Sequence, residues 1–166
     1  MKNIINILLM GACFMCSTIF AGTDPEAYCL VIEGQVLNAG LKGASGVTIE
    51  LSSGGQTLST QYLSKPGKKF RLKLAKNRHY MLKLSQTGYI DKLISINTQL
   101  PEFFDDEYLF GFQTSLISKK ESESLNSEIL ELPVALISWD MKRKLFYYDK
   151  NYSESIKREM VVQHGH

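Results

Sequence analysis

Hydrophobic and polar residues alternate in twos along much of this chain. The clearest stretch is residues 67–89. There Phe70, Leu72 and Leu74 alternate with Lys69, Arg71 and Lys73, and Tyr80, Leu82 and Leu84 alternate with Met81 and Lys83. A period of two places one set of side chains on each face of a pleated strand. The break between the runs, residues 75–78, has the length of a hairpin loop, and its Asn77 tolerates positive φ. The pattern predicts a β-hairpin with an apolar inner face and a strongly basic outer face.

The same reading extends in both directions. Residues 28–37 predict a first strand, with Glu33-Gly34 marking a bulge or a close backbone approach. Gly40, Gly43 and Gly46 make 38–46 a loop. Val47, Ile49 and Leu51 alternate with Thr48 and Glu50, and Ser53-Gly54-Gly55-Gln56 then supplies the positive-φ residues of a tight turn. Residues 57–63 are more polar and suit an edge strand, and Lys65-Pro66-Gly67 is a further turn. Later strands are predicted at 90–98 (Ile90, Ile94 and Ile96 on one face) and at 108–118 (Phe110, Phe112, Thr114 and Leu116 on one face). Two more are predicted at 129–139 (Pro133 at the strand start, then Val134, Leu136 and Ser138) and at 145–148. Short alternating runs with turn signals about every 8–12 residues predict an all-β, mostly antiparallel Ig-like or prealbumin-like sandwich.

Two stretches lack this alternation. Residues 119–128, rich in Ser, Glu and Lys, read as a solvated linker. Residues 150–160 predict a short C-terminal helix, capped by Asp149 or Ser153, with Tyr152, Ile156 and Met160 on one face.

The N-terminus carries Lys2, an almost wholly apolar run over residues 4–20 and a cleavage site after Ala21. Residues 1–21 therefore read as a secretory signal peptide, which assigns the protein to export into the periplasm, to the outer membrane or to the outside. Met10-Gly11-Ala12-Cys13 resembles a lipobox with Met in place of the usual Leu, so a lipoprotein anchored through Cys13 is the alternative. Residues 22–166 are then one domain, with no transmembrane span. Of the three cysteines, Cys13 and Cys16 leave with the signal. Cys29 remains alone, so no internal disulfide is expected, and its place in an apolar strand suits a small buried hydrophobe.

The formal net charge is only +2, which argues against a nucleic-acid partner. Its distribution is uneven. Residues 65–83 hold eight basic residues and no acidic one, whereas 102–131 hold eight acidic and two basic ones. Lys69, Arg71, Lys73 and Lys83 are expected to share the outer face of the hairpin as an interaction patch for an envelope protein or an anionic envelope component. Phe103 and Phe104, in the acidic loop 99–107, are candidate contact aromatics for a small ligand or glycan.

Taken in order, Gly34-Gln35-Val36, Gly46-Val47-Thr48-Ile49-Glu50-Leu51, Gly67…Phe70 and Tyr80-Met81-Leu82…Gly88-Tyr89 resemble the carboxypeptidase regulatory-like (transthyretin-like) β-sandwich domain over residues 28–98. Lys65-Pro66-Gly67 stands where that family usually has an Asp-Gly turn. Residues 132–152 are similar to the C-terminal part of uncharacterised envelope proteins of Bacteroidetes, which implies that 99–166 add strands and a helix to the same unit. The resemblance implies a binding or structural accessory of the envelope, and it supplies no catalytic residues. The transthyretin-like hydroxyisourate hydrolases share the topology but end in Tyr-Arg-Gly-Ser and use paired histidines and an arginine. This chain ends Val161-Val162-Gln163-His164-Gly165-His166, with His79 as its other histidine. No Gly-x-Ser-x-Gly elbow, phosphate-binding glycine loop or metal-ligand spacing occurs. The expectation is a non-enzymatic exported accessory without cofactor or metal, acting through a sandwich surface. The alternative is a secreted small-ligand or glycan-binding module.

Overall fold

The computed structural model describes residues 27–38, 42–103 and 106–161. The expected signal peptide, Cys13, Phe104, His164 and His166 lie outside them. Nine strands follow in order: β1 (Tyr28–Leu37), β2 (Val47–Ser53), β3 (Gln56–Leu63), β4 (Lys69–Ala75), β5 (His79–Gln86), β6 (Lys92–Asn97), β7 (Tyr108–Ser115), β8 (Ala135–Asp140) and β9 (Leu145–Tyr148). Two one-turn helices, α1 (Lys119–Ser122) and α2 (Ser127–Leu130), lie between β7 and β8, and α3 (Lys150–Val161) ends the described chain. No helix among the described residues is long and apolar enough to cross a membrane.

The strands form two sheets, one ordered β4-β1-β7 and the other β3-β2-β5-β6-β8-β9. Leu30, Ile32, Phe70, Leu72 and Leu74 of the first pack with Ile49, Leu82, Leu84, Ile94 and Ile96 of the second in one core. Burial of a side chain of this size contributes roughly 1.5–3 kcal/mol, so this layer holds the fold without a crosslink. The protein is thus a β-sandwich with a C-terminal helix, as the alternation predicts. The sheets are mixed, because β1 pairs β7 in parallel and β6 pairs β8 in parallel. Both connections cross between sheets, which lets a strand return in the same direction as its neighbour.

The predicted hairpin is corrected. β4 and β5 do not pair: β4 lies beside β1, and β5 lies between β2 and β6. Their apolar sides meet across the interior, so the chain makes an arch from one sheet to the other. Asn77 has the positive φ (57°) that the turn requires. The arch is tied by Thr98 just beyond β6. Its hydroxyl donates to Ala75 O at 2.7 Å and accepts from Arg78 N at 3.0 Å, while its backbone exchanges bonds with Asn77 and Arg78. The Ala75 amide donates to the Tyr80 hydroxyl at 3.0 Å.

Local signals elsewhere hold. Gly54 and Gly55 both have positive φ and turn β2 tightly into β3, an edge strand. Gly34 is a close approach: a Cβ there would come within 2.2 Å of the Phe70 ring. The register irregularity of β1 lies instead between Tyr28 and Leu30. Residues 119–128 differ from the expected linker. Ser118 and Glu121 form a reciprocal capping box that starts α1, and the Asn126 side chain caps α2. Asp149 caps α3 by accepting from the Tyr152 amide at 3.0 Å, and Ser153, Ile156 and Met160 form its buried side.

Candidate functional site

Because the first sheet has three strands and the second has six, β7 cannot cover β6, β8 and β9 alone. The α3 helix packs against β8 and covers part of what remains. Between β7 and α3 lies a cavity of about 660 Å³. Its floor is Ile94 of β6 with Ala135 and Ile137 of β8, Ala135 standing opposite Ile94 in the parallel register. Phe110, Phe112 and Thr114 of β7 form one wall, and Ser153, Lys157 and Met160 of α3 form the other. Beyond the cavity, Tyr108, Trp139 and Phe146 pack edge to face, with ring centroids 5.0–5.9 Å apart.

The polar feature of this cavity is Lys92. Its Nζ donates to Thr114 Oγ1 at 3.0 Å and to the Ser115 carbonyl. Burial, followed by the charge on Lys157, brings its pKa from 10.5 down to about 8. No Asp or Glu is among the residues that line the cavity. Ser153 Oγ, buried against this site, has no hydrogen-bond partner among the described residues. Such an arrangement can bind an apolar body and present cationic and hydroxyl donors to it.

The basic residues singled out by sequence do not form one patch. Lys69, Arg71 and Lys73 lie on the outer face of β4, opposite Gln35, Glu33 and Val31 of β1. Lys83 is in the other sheet, opposite Glu50 and 3.5 Å from Asp91. The three that remain together are interleaved with acids. Lys69 Nζ is 2.8 Å from Glu33 and Lys73 Nζ is 3.4 Å from Glu107. The Lys69 hydrogen bond, more than its charge, holds the Glu33 carboxyl below its ordinary value. Phe103 is 81% exposed and makes no part of the cavity wall. Cys29 is fully buried, with its thiol 3.7 Å from Leu74 O, and burial pushes it up to about 11, so it is inert at neutral pH. His79 opens β5, and its Nε2 lies 2.7 Å from Ser95 Oγ.

Lys92, Ser153 and Lys157 were not among the residues that sequence reasoning proposed. A signal for Lys92 exists, since Lys92, Ile94 and Ile96 share the inward parity of β6. A lysine in phase with core isoleucines is out of place on a solvated strand face.

No family model matches the chain, and no curated protein matches it. Among solved structures it is similar to catechol 1,2-dioxygenase from Pseudomonas arvilla C-1, at 14% identity over 59% of this chain and 54% of that one, with a TM-score of 0.39. It is also similar to the mercury-inhibited catechol 1,2-dioxygenase of Acinetobacter sp. ADP1, at 12% identity over 58% and 55%, with a TM-score of 0.41. The chain therefore spans about half the length of the dioxygenase chains it matches. At these scores the likeness assigns neither a family nor a reaction. The expectation that the protein is not an enzyme is corrected all the same: it rested on missing motifs, which exclude no reaction, and it is withdrawn with no activity put in its place.

Proposed function

We propose that this chain is an exported small-ligand-binding module of a bacterial cell envelope, built on a carboxypeptidase regulatory-like sandwich of the kind carried by Bacteroidetes envelope proteins. The observation that supports the reading is the cavity between β7 and α3. At about 660 Å³ it falls within the usual size of small-molecule sites, roughly 300–1,000 Å³. Its walls are aliphatic and aromatic in larger part, with Lys92, Gln113, Thr114, Ser115, Ser153 and Lys157 as the polar groups that could orient a guest.

The test is titration with the uncharged apolar fluorophore N-phenyl-1-naphthylamine, for the wild type and for Ala135→Phe. Ala135 is half-buried on the floor, so a phenyl ring there takes up space that a guest would need. Saturable binding by the wild type, lost in an Ala135→Phe protein with an unchanged circular dichroism spectrum, is expected. Equal binding by both proteins, or none by either, contradicts the reading.

A second reading keeps the chain as an envelope adaptor that meets a partner through the outer face of β4-β1-β7. It is favoured by Leu109, which is 66% exposed beside the central strand of that sheet, in register with Val31 and across β1 from Lys73. An exposed apolar residue among ion-paired side chains suits a protein surface of mixed apolar and polar character.

A further inference from the structure

We infer that the cavity takes an amphipathic monocarboxylate, with its acid group against Lys92, Ser153 and Lys157 and its apolar body over Ile94, Ile137 and Phe110. The inference deepens the ligand-binding reading and rests on it.

The donors come from two elements, β6 and α3, that both line this cavity. Lys92 reaches it from β6, and an ammonium has three donors. Thr114 Oγ1 and the Ser115 carbonyl take two of them, which leaves one. From α3 come Ser153 and Lys157, one helical turn apart and therefore on one side of the helix. The Ser153 hydroxyl is buried and has no partner among the described residues, a costly state that an acceptor inside the cavity would relieve. Lys157 is exposed at the helix surface and makes no ion pair among the described residues. Two cations and a hydroxyl line the cavity, Lys157 at its exposed side, with no carboxylate among the lining residues. Burial first, and then the neighbouring charge of Lys157, disfavour the charged form of Lys92.

A single carboxylate answers this arrangement. It offers planar acceptor oxygens to one ammonium donor and one hydroxyl, and charge-assisted bonds of this kind are the strong ones. Phosphate would turn further charged oxygens toward Phe110, Ile94 and Ile137. An aliphatic or aromatic body matches those same walls.

The experiment is calorimetric titration of the protein with decanoate and, separately, with decanol, for the wild type, Lys92→Met and Lys157→Glu. Lys157 is exposed, so its variant keeps the fold even if Lys92→Met does not. Decanoate is expected to bind the wild type and to lose about tenfold or more in affinity in each variant, with decanol unaffected by either. Equal decanoate affinity across the three proteins overturns the carboxylate assignment. So does decanol binding as tightly as decanoate to the wild type, although the ligand-binding reading then stands. Failure of both probes to bind removes the ligand-binding reading itself.

Discussion

Lys92 illustrates how one residue can carry both a cost and a use. Folding moves its ammonium from water into an apolar cavity, beside Lys157 and with no acid in the lining. Its pKa is thereby lowered from 10.5 in the unfolded chain to about 8 in the folded one. Between those values the unfolded chain binds more protons, so stability rises with pH across that window, and the full cost is present below about pH 8. The cost is about 3 kcal/mol at neutral pH. Urea unfolding should therefore show the wild type gaining stability relative to Lys92→Met as pH rises from about 8 to 10.5. A difference that stays flat with pH would sink this account. Only the differential is diagnostic, because Met also gives up the bonds to Thr114 and Ser115.

At the scale of elements, the instructive stretch is β4 to β5. Phe70, Leu72 and Leu74, and then Tyr80, Leu82 and Leu84, are all buried, so the period-two reading found both strands and both inner faces. Pairing is a different matter, because alternation says which way a side chain points and not which strand lies beside it. A turn of residues 75–78 serves a hairpin or an arch equally well by length. What selects the arch is remote: Thr98 satisfies Ala75 O and Arg78 N, while Tyr80 takes the Ala75 amide. Thr98→Val keeps the shape and removes those bonds. It is expected to cost about 1–3 kcal/mol in denaturant unfolding, since the Arg78 amide loses the hydroxyl and the buried Ala75 carbonyl keeps the longer bond from Tyr80 at 3.4 Å. A hairpin would scarcely notice the change, so a loss below about 0.5 kcal/mol would contradict the arch. Residues 119–128 were misread for a related reason. Their composition suits a disordered linker, but Ser118 with Glu121, and Asn126 with the amide of Glu128, are capping pairs that composition does not weigh.

At the scale of the whole molecule, the sandwich was legible and the candidate site was not. Alternation is a local signal, and β2, β4 and β5 carry it clearly in their burial. A cavity between β7 and α3 joins residues from position 37 to position 160, and no spacing rule links them. The expected basic patch failed as a unit for the same reason, since Lys83 and Lys69 belong to different sheets. The cavity itself follows from strand number. A three-stranded sheet over a six-stranded one leaves an uncovered width, α3 closes part of it, and the gap between them is where an apolar guest fits.

The most direct measurement of that claim is a methyl NMR titration of the protein with decanoate. The account predicts shifts confined to Ile94, Ile137 and Met160, which line the cavity, with Ile32 and Ile49 in the sealed core and Leu109 on the outer face unmoved. Shifts centred on Leu109 would move the function to the outer face of β4-β1-β7, and an unchanged spectrum would contradict ligand binding altogether.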